Sequence, residues 1–317
     1  MDIVGKRRWF FLFSGIVILA GIISMAIPPS LKPGIDFTSG SVLTITFSEA
    51  VSESDVRTQL NSLGHSDAII QKLGKDTVLI RTKVLKEPEI GADGKVIKSS
   101  DRDIIEKVLE ANVASIQGRQ FDTTSPIVAA ETVRNATIAV IVAALGILLY
   151  VTWAFRAIPH SFRYGAAAII ALVHDLLIVV GIFSILGKVI GLEINAMFIV
   201  GLLTVLGYSV NDTIVVFDRI RENVIRSIDQ PIEQTINDSI LQSIGRSINT
   251  SFTTIVVLVA LLIMGGPTIQ GLLLALLIGV ASGTYSSIAI ASQFLIVWER
   301  GEIRKFLRIL RLSPARN

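Results

Sequence analysis

The chain has 317 residues, of which 51% are hydrophobic and only 17% are charged, and its formal net charge is +3. The mean hydropathy of +0.65 is far above that of a soluble globular domain, which excludes a purely soluble protein. No cysteine is present, which excludes a disulfide framework and thiolate chemistry.

The apolar residues are concentrated in six segments, each close to or longer than the ~20 residues with which a helix crosses a bilayer core. These segments are 9–27, 135–155, 165–187, 194–217, 248–266 and 270–297. They predict an α-helical membrane protein with six transmembrane helices in a lipid bilayer. The first segment ends at Pro28 without a small-residue cleavage motif, so we expect a retained anchor rather than a signal peptide.

The basic residues predict the orientation of the chain. Lys6, Arg7 and Arg8 precede the first span, and such positive segments stay in the cytoplasm. The basic clusters outside the first long polar region fall on that same side, so we expect both termini to be cytoplasmic and interpret these clusters as topology signals rather than nucleic-acid contacts. The predicted organisation is a cytoplasmic N-terminus with helix 1 (1–27), an external domain (28–134), helices 2–6 (135–297) with a cytoplasmic segment at 218–247, and a basic cytoplasmic tail (298–317).

The predicted external domain shows strand and helix patterns in the order β-α-β-β-α-β. Alternating side chains predict strands at 41–47, 68–73 and 77–82, and a further strand within 120–133. Ser52 and Ser100 are placed to cap helices at 53–63 and 101–115. We therefore expect an α+β ferredoxin-like domain between transmembrane helices 1 and 2, with a loop at 84–99 between its halves.

Asp212 is an acidic residue inside the fourth apolar segment, well before the charged run that begins at Asp218. An ionisable side chain within a membrane span is costly and marks a functional site by default. We interpret Asp212 as a proton or ion site, with the neighbouring Asn211 as a supporting polar group. The alternative is an aspartate that reaches the interface or caps a neighbouring helix.

Arg246 opens the fifth apolar segment, and its long stem can extend toward the membrane interior. We expect Arg246 to be the counter-charge of Asp212; the alternative is a topology residue held at the interface. Asn249 and Thr250 follow it and predict a hydrated or hydrogen-bonded interior, although hydroxyl side chains also serve plain helix packing.

His174 and Asp175 form a second polar pair, inside the third apolar segment. They either extend a proton path or support the site through hydrogen-bonded packing. The sequence contains no Walker-type phosphate loop, no metal-ligand spacing and no readable nucleophile–base–acid set. We therefore expect no cofactor site, no metal site and no conventional enzyme activity.

Five short motifs, each present once, mark the chain from its first span to its fifth. They are 34–40 (GIDFTSG), His174-Asp175, 207–213 (GYSVNDT), 217–223 (FDRIREN), and Arg246 with 247–251 (SINTS). With them, essentially the whole chain resembles the SecD/SecF family of bacterial protein-export membrane proteins. Ser39 departs mildly from that family, which usually has glycine at this position, without an evident consequence for the proton site.

The resemblance implies a six-span half of the RND type that pairs with a homologous SecD half in the bacterial plasma (inner) membrane. It implies action beside the SecYEG channel, where the proton-motive force promotes the export of preproteins. Asp212 would then carry the proton and Arg246 would be its partner, with the proton gradient as energy source and no cofactor. Two alternatives stay open: a half-size proton-coupled exporter of small molecules or lipids, and a passive scaffold subunit.

Overall fold

The computed structural model describes residues 2–90, 96–158, 160–226 and 229–301. The chain divides into two compact units. One comprises Met1–Lys32 and Ala136–Asn317 and is called the membrane unit; the other comprises Pro33–Asn135 and is called the α+β unit. Most of the predicted tail at 298–317 and part of the predicted loop at 84–99 lie outside the described residues.

The helices of the described residues are numbered in chain order. They are α1 (Arg7–Ala26), α2 (Ile35–Thr38), α3 (Glu53–Ser62), α4 (Asp101–Asn112), α5 (Pro126–Ala154), α6 (Phe162–Val189), α7 (Ala196–Arg226), α8 (Ile232–Met264), α9 (Pro267–Ser286) and α10 (Ser292–Glu299). A π-helical turn, Ser287–Ala291, joins α9 to α10 without a break. Six helical segments in the described part are long and apolar enough to cross a membrane, as predicted.

Close contacts between small residues and between aromatic rings hold the helices of the membrane unit together. A Cβ placed on Gly21 of α1 would stand 2.9 Å from the Cα of Gly181 on α6, so the backbones touch there. Between α6 and α7, Tyr164 and Phe217 meet edge to face with ring centroids 5.4 Å apart. Membrane helices gain stability chiefly from such packing and from interhelical hydrogen bonds, because lipid is as apolar as their side chains.

The predicted cytoplasmic segment at 218–247 is largely helical, since α7 continues through Arg226 and α8 begins at Ile232. These extensions pack on each other through buried Ile220, Ile236 and Ile240. Asn223 joins them by donating hydrogen bonds from Nδ2 to Ser239 Oγ (2.8 Å) and Gln242 Oε1 (2.9 Å). The end of α7 and the start of α8 therefore form one helical hairpin beyond the apolar spans.

The α+β unit has the predicted ferredoxin-like topology. Its strands are β1 (Gly40–Phe47), β2 (Ile69–Lys72), β3 (Thr77–Thr82), β4 (Glu89–Ile90), β5 (Val96–Lys98) and β6 (Ile116–Thr124). The main sheet is antiparallel with the strand order β2-β3-β1-β6, so the two strand–helix–strand crossovers interleave. Ser52 caps α3 by accepting from the Ser54 amide, and Ser100 caps α4 by accepting from the Asp103 amide.

Two local predictions in this unit differ in part from the structure. The last strand ends at Thr124, whereas the prediction placed it within 120–133, and α5 starts at Pro126. The cause is a helix start: Ser125 Oγ accepts a hydrogen bond from the Val128 amide (3.3 Å), and proline is favoured at the first helical position. The predicted loop at 84–99 contains the small antiparallel pair β4–β5.

Candidate functional site

Asp175 is the centre of a buried polar cluster between α6, α7 and α9, and only 1% of it is exposed. Its Oδ1 accepts a hydrogen bond from Ser282 Oγ (2.6 Å) and lies 3.0 Å from His174 Nδ1. Its Oδ2 accepts from Ser209 Oγ (2.6 Å) and Ser286 Oγ (2.7 Å). Each carboxyl oxygen thus has two partners, so Asp175 ties three helices together with its hydrogen-bonding capacity largely satisfied.

Glycines on α9 make this arrangement possible. A Cβ on Gly279 would stand 2.1 Å from Cγ2 of Val205, and one on Gly283 would stand 3.1 Å from the Cα of Ser209. The absence of side chains at these two positions lets α9 lie directly against α7. By contrast, Gly207 on α7 has no atom within 4 Å of the position that its Cβ would take.

His174 extends the cluster to α1. Its Nε2 lies 3.0 Å from Ser14 Oγ, Ser14 donates to the Tyr285 hydroxyl (3.1 Å), and Tyr285 donates to the carbonyl of Phe10 (2.9 Å). Ser14 has a single hydroxyl proton, which it donates to Tyr285 when His174 donates a proton from Nε2 to Ser14. When the neutral ring is protonated at Nδ1 instead, Nε2 accepts the Ser14 proton. His174 is therefore linked to Ser14 in either tautomer, and the Phe10 carbonyl, which can only accept, ends this chain of hydrogen bonds.

Asp212 lies near the middle of α7 and is 7% exposed, so it is buried as predicted. It stands one helical turn from Ser209, the residue through which α7 contacts Asp175. The hydroxyls of Ser247 on α8 and Ser287 on the π-helical turn face its carboxyl. Nevertheless, Asp212 Oδ2 and Ser247 Oγ are both buried without a hydrogen-bonding partner among the described residues.

The contrast between the two carboxyl groups is the main feature of the site. Asp175 has four polar partners, whereas Asp212 retains an unpartnered buried oxygen. Burying an ionised carboxylate without a partner costs several kcal/mol or more, and a bound proton or cation removes that cost. Asp212 therefore keeps an oxygen free to bind a proton or a cation, whereas the oxygens of Asp175 are occupied by hydrogen bonds that join three helices.

The predicted ion pair between Asp212 and Arg246 is not formed in this structure. Asp212 and Arg246 lie at the same depth along their helices. Asp212 precedes Arg226, the last residue of α7, by 14 positions, and Arg246 follows Ile232, the first residue of α8, by 14 positions. Both lie about 21 Å from the connection between the two antiparallel helices. Their directions differ, because Ser247 points toward α7 while Arg246, the preceding residue, is exposed on the surface of the chain.

The other predicted polar residues fall into a buried group and an exposed group. His174 and Asp175 are buried and belong to the cluster. Asn211, Asn249 and Thr250 are exposed on the membrane unit, on the same two helices that carry Asp212 and Arg246. They form a polar surface and are not buried partners of the Asp212 carboxyl.

Sequence reasoning missed the serines and the tyrosine that complete the site. Ser282 and Ser286 are four residues apart on one helix face, a spacing visible in the sequence that indicates a shared partner. The π-helical turn that follows them gave no such signal. It carries Ser287, whose hydroxyl contacts Thr213 (2.9 Å), next to Asp212 on α7. Such π-helical insertions occur frequently at functional sites.

Six apolar helices, a ferredoxin-like unit inserted after the first, and buried carboxyl groups between the helices define a polytopic membrane protein with an intramembrane polar site. The family model described as "Protein export membrane protein SecD/SecF, C-terminal" matches residues 104–301, and the model of the SecD/SecF GG motif matches residues 31–51. The chain belongs to the SecD/SecF family.

Two relatives named SecF are similar to this chain over nearly their whole length, and a longer SecDF protein is similar over part of its length. The chain is 43% identical to "Protein translocase subunit SecF" of Thermobaculum terrenum, covering 98% of this chain and 97% of that protein. It is 38% identical to the protein of the same name from Anaerolinea thermophila, covering 97% of each. It is also 35% identical to "Protein translocase subunit SecDF" of Bacillus subtilis, covering 96% of this chain but 39% of that protein.

The fold is similar to that of a solved structure. The crystal structure of SecDF, "a translocon-associated membrane protein" from Thermus thermophilus, superposes with a TM-score of 0.79 at 31% identity. The match covers 95% of this chain and 39% of that one. The chain therefore spans about two fifths of the length of these SecDF proteins.

Proposed function

We propose that this chain is an accessory subunit of the Sec protein translocase that pairs with SecD and uses the proton-motive force to promote protein export. The names of its relatives support the accessory role in protein translocation. The pairing is supported by SecDF proteins, in which a sequence similar to this chain occupies about two fifths of one longer polypeptide. On this proposal the SecYEG channel and exported preproteins are its further partners.

The surface of the membrane unit supports the pairing with a second half. Polar side chains on α7 and α8 are exposed in this chain; they are Thr204, Asn211, Arg246, Asn249, Thr250 and Thr253. In a bilayer, a charged or amide side chain facing lipid is costly, so such residues normally face protein or a water-filled cavity. A SecD half that covers this polar surface would convert it into a shared interior.

The unpartnered oxygen of Asp212 carries the proposed coupling to protons. The carboxyl lies behind the polar surface, at the depth of Arg246, and one turn from the Asp175 cluster. Taking up a proton from a hydrated interface would satisfy Asp212, and releasing it would leave a charge that Arg246 could compensate after moving. We propose that this exchange changes the packing of α7 against α8 and α9, without any cofactor and without a conventional catalytic step.

The proposed function also implies one orientation of the chain in the membrane. The basic residues before α1, and those between α5 and α6, would face the cytoplasm of a bacterial plasma (inner) membrane. In this orientation the α+β unit, which connects α1 to α5, would lie on the other side of the membrane, outside the cell's cytoplasm. There it could transmit movement of the membrane helices to an exported chain.

Export through a reconstituted complex tests the proton coupling. The Asp212→Asn variant is compared with the native chain under an imposed proton gradient, and Asp218→Asn is the control because Asp218 is exposed and pairs with Arg221 at the surface. We expect Asp212→Asn to lose the gradient-dependent part of export while assembly stays intact and Asp218→Asn keeps it. Full retention in Asp212→Asn would reject Asp212 as the coupling group and leave the chain closer to a passive scaffold.

The absence of cysteine makes the pairing testable by labelling. A single cysteine at Asn211 or Asn249 reacts with a maleimide when exposed, and we expect co-expression with SecD to protect it. Asn112 on α4, which is exposed and lies outside the apolar spans, provides the control position. Equal labelling of Asn211→Cys with and without SecD would contradict the proposed interface.

A further inference from the structure

A groove of about 590 Å³ lies on the membrane unit between α5, α6 and α10, away from the carboxyl cluster. It is lined by Leu148, Phe162, Arg163, Ala166, Ile169, Ile170, Phe294, Trp298, Glu299 and Gly301. The lining is apolar along its length, and its charged members are confined to the end where α6 begins and α10 ends. Its volume is in the range of sites that hold a small-molecule ligand.

The charged end of the groove presents a cation and an anion side by side. Arg163 Nη1 lies 2.5 Å from Glu299 Oε1, and the two side chains are 22% and 38% exposed. Trp298, the residue before Glu299, adds an aromatic ring at the same level. Tryptophan and arginine in this arrangement are typical of the depth at which lipid headgroups lie.

We propose that this groove binds one phospholipid with a phosphoethanolamine headgroup. An acyl chain lies along Ala166, Ile169 and Ile170, the phosphate contacts Arg163, and the ammonium group contacts Glu299. The charge pattern selects this headgroup. A phosphatidylglycerol could place its phosphate on Arg163, but it has no cation to compensate the Glu299 carboxylate, and a choline headgroup has no N–H to donate to that carboxylate.

The groove carries its own reporter, because Trp298 lines it and the chain has only three tryptophans. Replacing Trp9 and Trp153 by phenylalanine leaves Trp298 as the sole tryptophan of the full chain, and excitation at its red edge avoids the four tyrosines. This variant is reconstituted in phosphatidylcholine nanodiscs that contain a small, increasing fraction of brominated lipid, which quenches fluorescence on contact. We expect brominated phosphatidylethanolamine to quench Trp298 at an about threefold lower fraction than brominated phosphatidylcholine, the ratio that an exposed charge contact supports.

Matched variants separate the site from the bulk lipid. A chain that keeps only Trp153, which is 61% exposed on α5, should show no preference between the brominated lipids. Glu299→Gln should remove the preference for ethanolamine over choline, and Ala166→Leu should reduce quenching of Trp298 by every lipid because it fills the groove. The Ala166→Leu result keeps the test independent of any effect that loss of the ion pair has on folding.

Three results would overturn the proposal. Strongest quenching by brominated phosphatidylglycerol would identify a site for anionic lipid instead. Equal quenching by ethanolamine and choline lipids in the native sequence would show that no headgroup is selected. Residues 302–317 follow Gly301 directly, so a preference that appears only in a chain ended at Gly301 would identify this segment, rather than a lipid, as the occupant.

Discussion

Replacing each buried aspartate by asparagine should have opposite effects on stability and on coupling. Asp175→Asn changes a carboxyl group with four polar partners, whereas Asp212→Asn changes one that has an unpartnered oxygen. Asparagine has nearly the shape of aspartate, so the comparison isolates hydrogen bonding from packing. We expect Asp175→Asn to weaken the membrane unit and Asp212→Asn to leave its stability nearly unchanged.

The magnitude follows from the number of hydrogen bonds lost at Asp175. An asparagine amide nitrogen cannot accept a hydrogen bond, so if it takes the place of Oδ2, the hydroxyls of Ser209 and Ser286 lose their acceptor. Interhelical hydrogen bonds in membrane proteins contribute about 0.6 kcal/mol on average and up to about 1.7 kcal/mol. Two lost bonds therefore lower the free energy of unfolding by about 1–3 kcal/mol, and Asp212→Asn should change it by less than about 0.5 kcal/mol.

Reversible unfolding of the full chain in mixed micelles, followed by circular dichroism, measures both variants against the native protein. The export assay, run in parallel, should show the reverse order, with Asp212→Asn the more strongly impaired in gradient-dependent export. If Asp175→Asn proved as stable as the native chain, or Asp212→Asn lost more than Asp175→Asn, the division of roles between a structural and a proton-exchanging carboxyl would be refuted.

Three further changes have defined outcomes. Gly279→Ala should destabilise the membrane unit by about 1–3 kcal/mol through overpacking at the contact between α9 and α7, whereas Gly207→Ala, where space is open, should not destabilise it; unfolding in mixed micelles compares them. Ser100→Ala removes the cap of α4 and should accelerate hydrogen exchange of that helix about fivefold, corresponding to ~1 kcal/mol, and unchanged exchange would contradict the capping role. The hydrogen bond from Lys83 lowers the pKa of the Asp67 carboxyl, so this contact stabilises the α+β unit at neutral pH and its contribution is lost as the pH falls below about 4. The difference in unfolding midpoint between the native chain and Lys83→Gln should therefore be present at about pH 7 and shrink progressively as the pH falls below about 4; a difference that stays constant over that range would contradict the assignment.

The sequence predicts features that depend on one segment at a time. Each apolar run is long enough to identify a span, and the β-α-β-β-α-β order identifies the ferredoxin-like unit without knowledge of its contacts. Ser52 and Ser100 are recognisable as caps because a cap bonds within its own helix. Burial of Asp212 and Asp175 also follows from their position inside apolar segments.

Features that depend on the rotation of one helix against another were not predictable. Arg246 and Ser247 are adjacent in sequence, about 100° apart around the helix, and only the packing of α8 on α7 decides which of them faces Asp212. The same limit hid Ser209, Ser282 and Ser286, since nothing in a single sequence shows that residues of α7 and α9 converge on α6. The predicted range of the last strand, within 120–133, extended too far because the helix start capped by Ser125 was not recognised.

The most direct test of the account is whether Asp212 binds and releases a proton. Infrared difference spectroscopy of the complex, recorded between high and low pH, detects the C=O stretch of a protonated carboxyl group in the membrane. The account predicts a pH-dependent carboxyl band that disappears in Asp212→Asn and persists in Asp175→Asn. A band that survives in Asp212→Asn and is lost in Asp175→Asn would assign the proton to the other carboxyl and contradict the central claim.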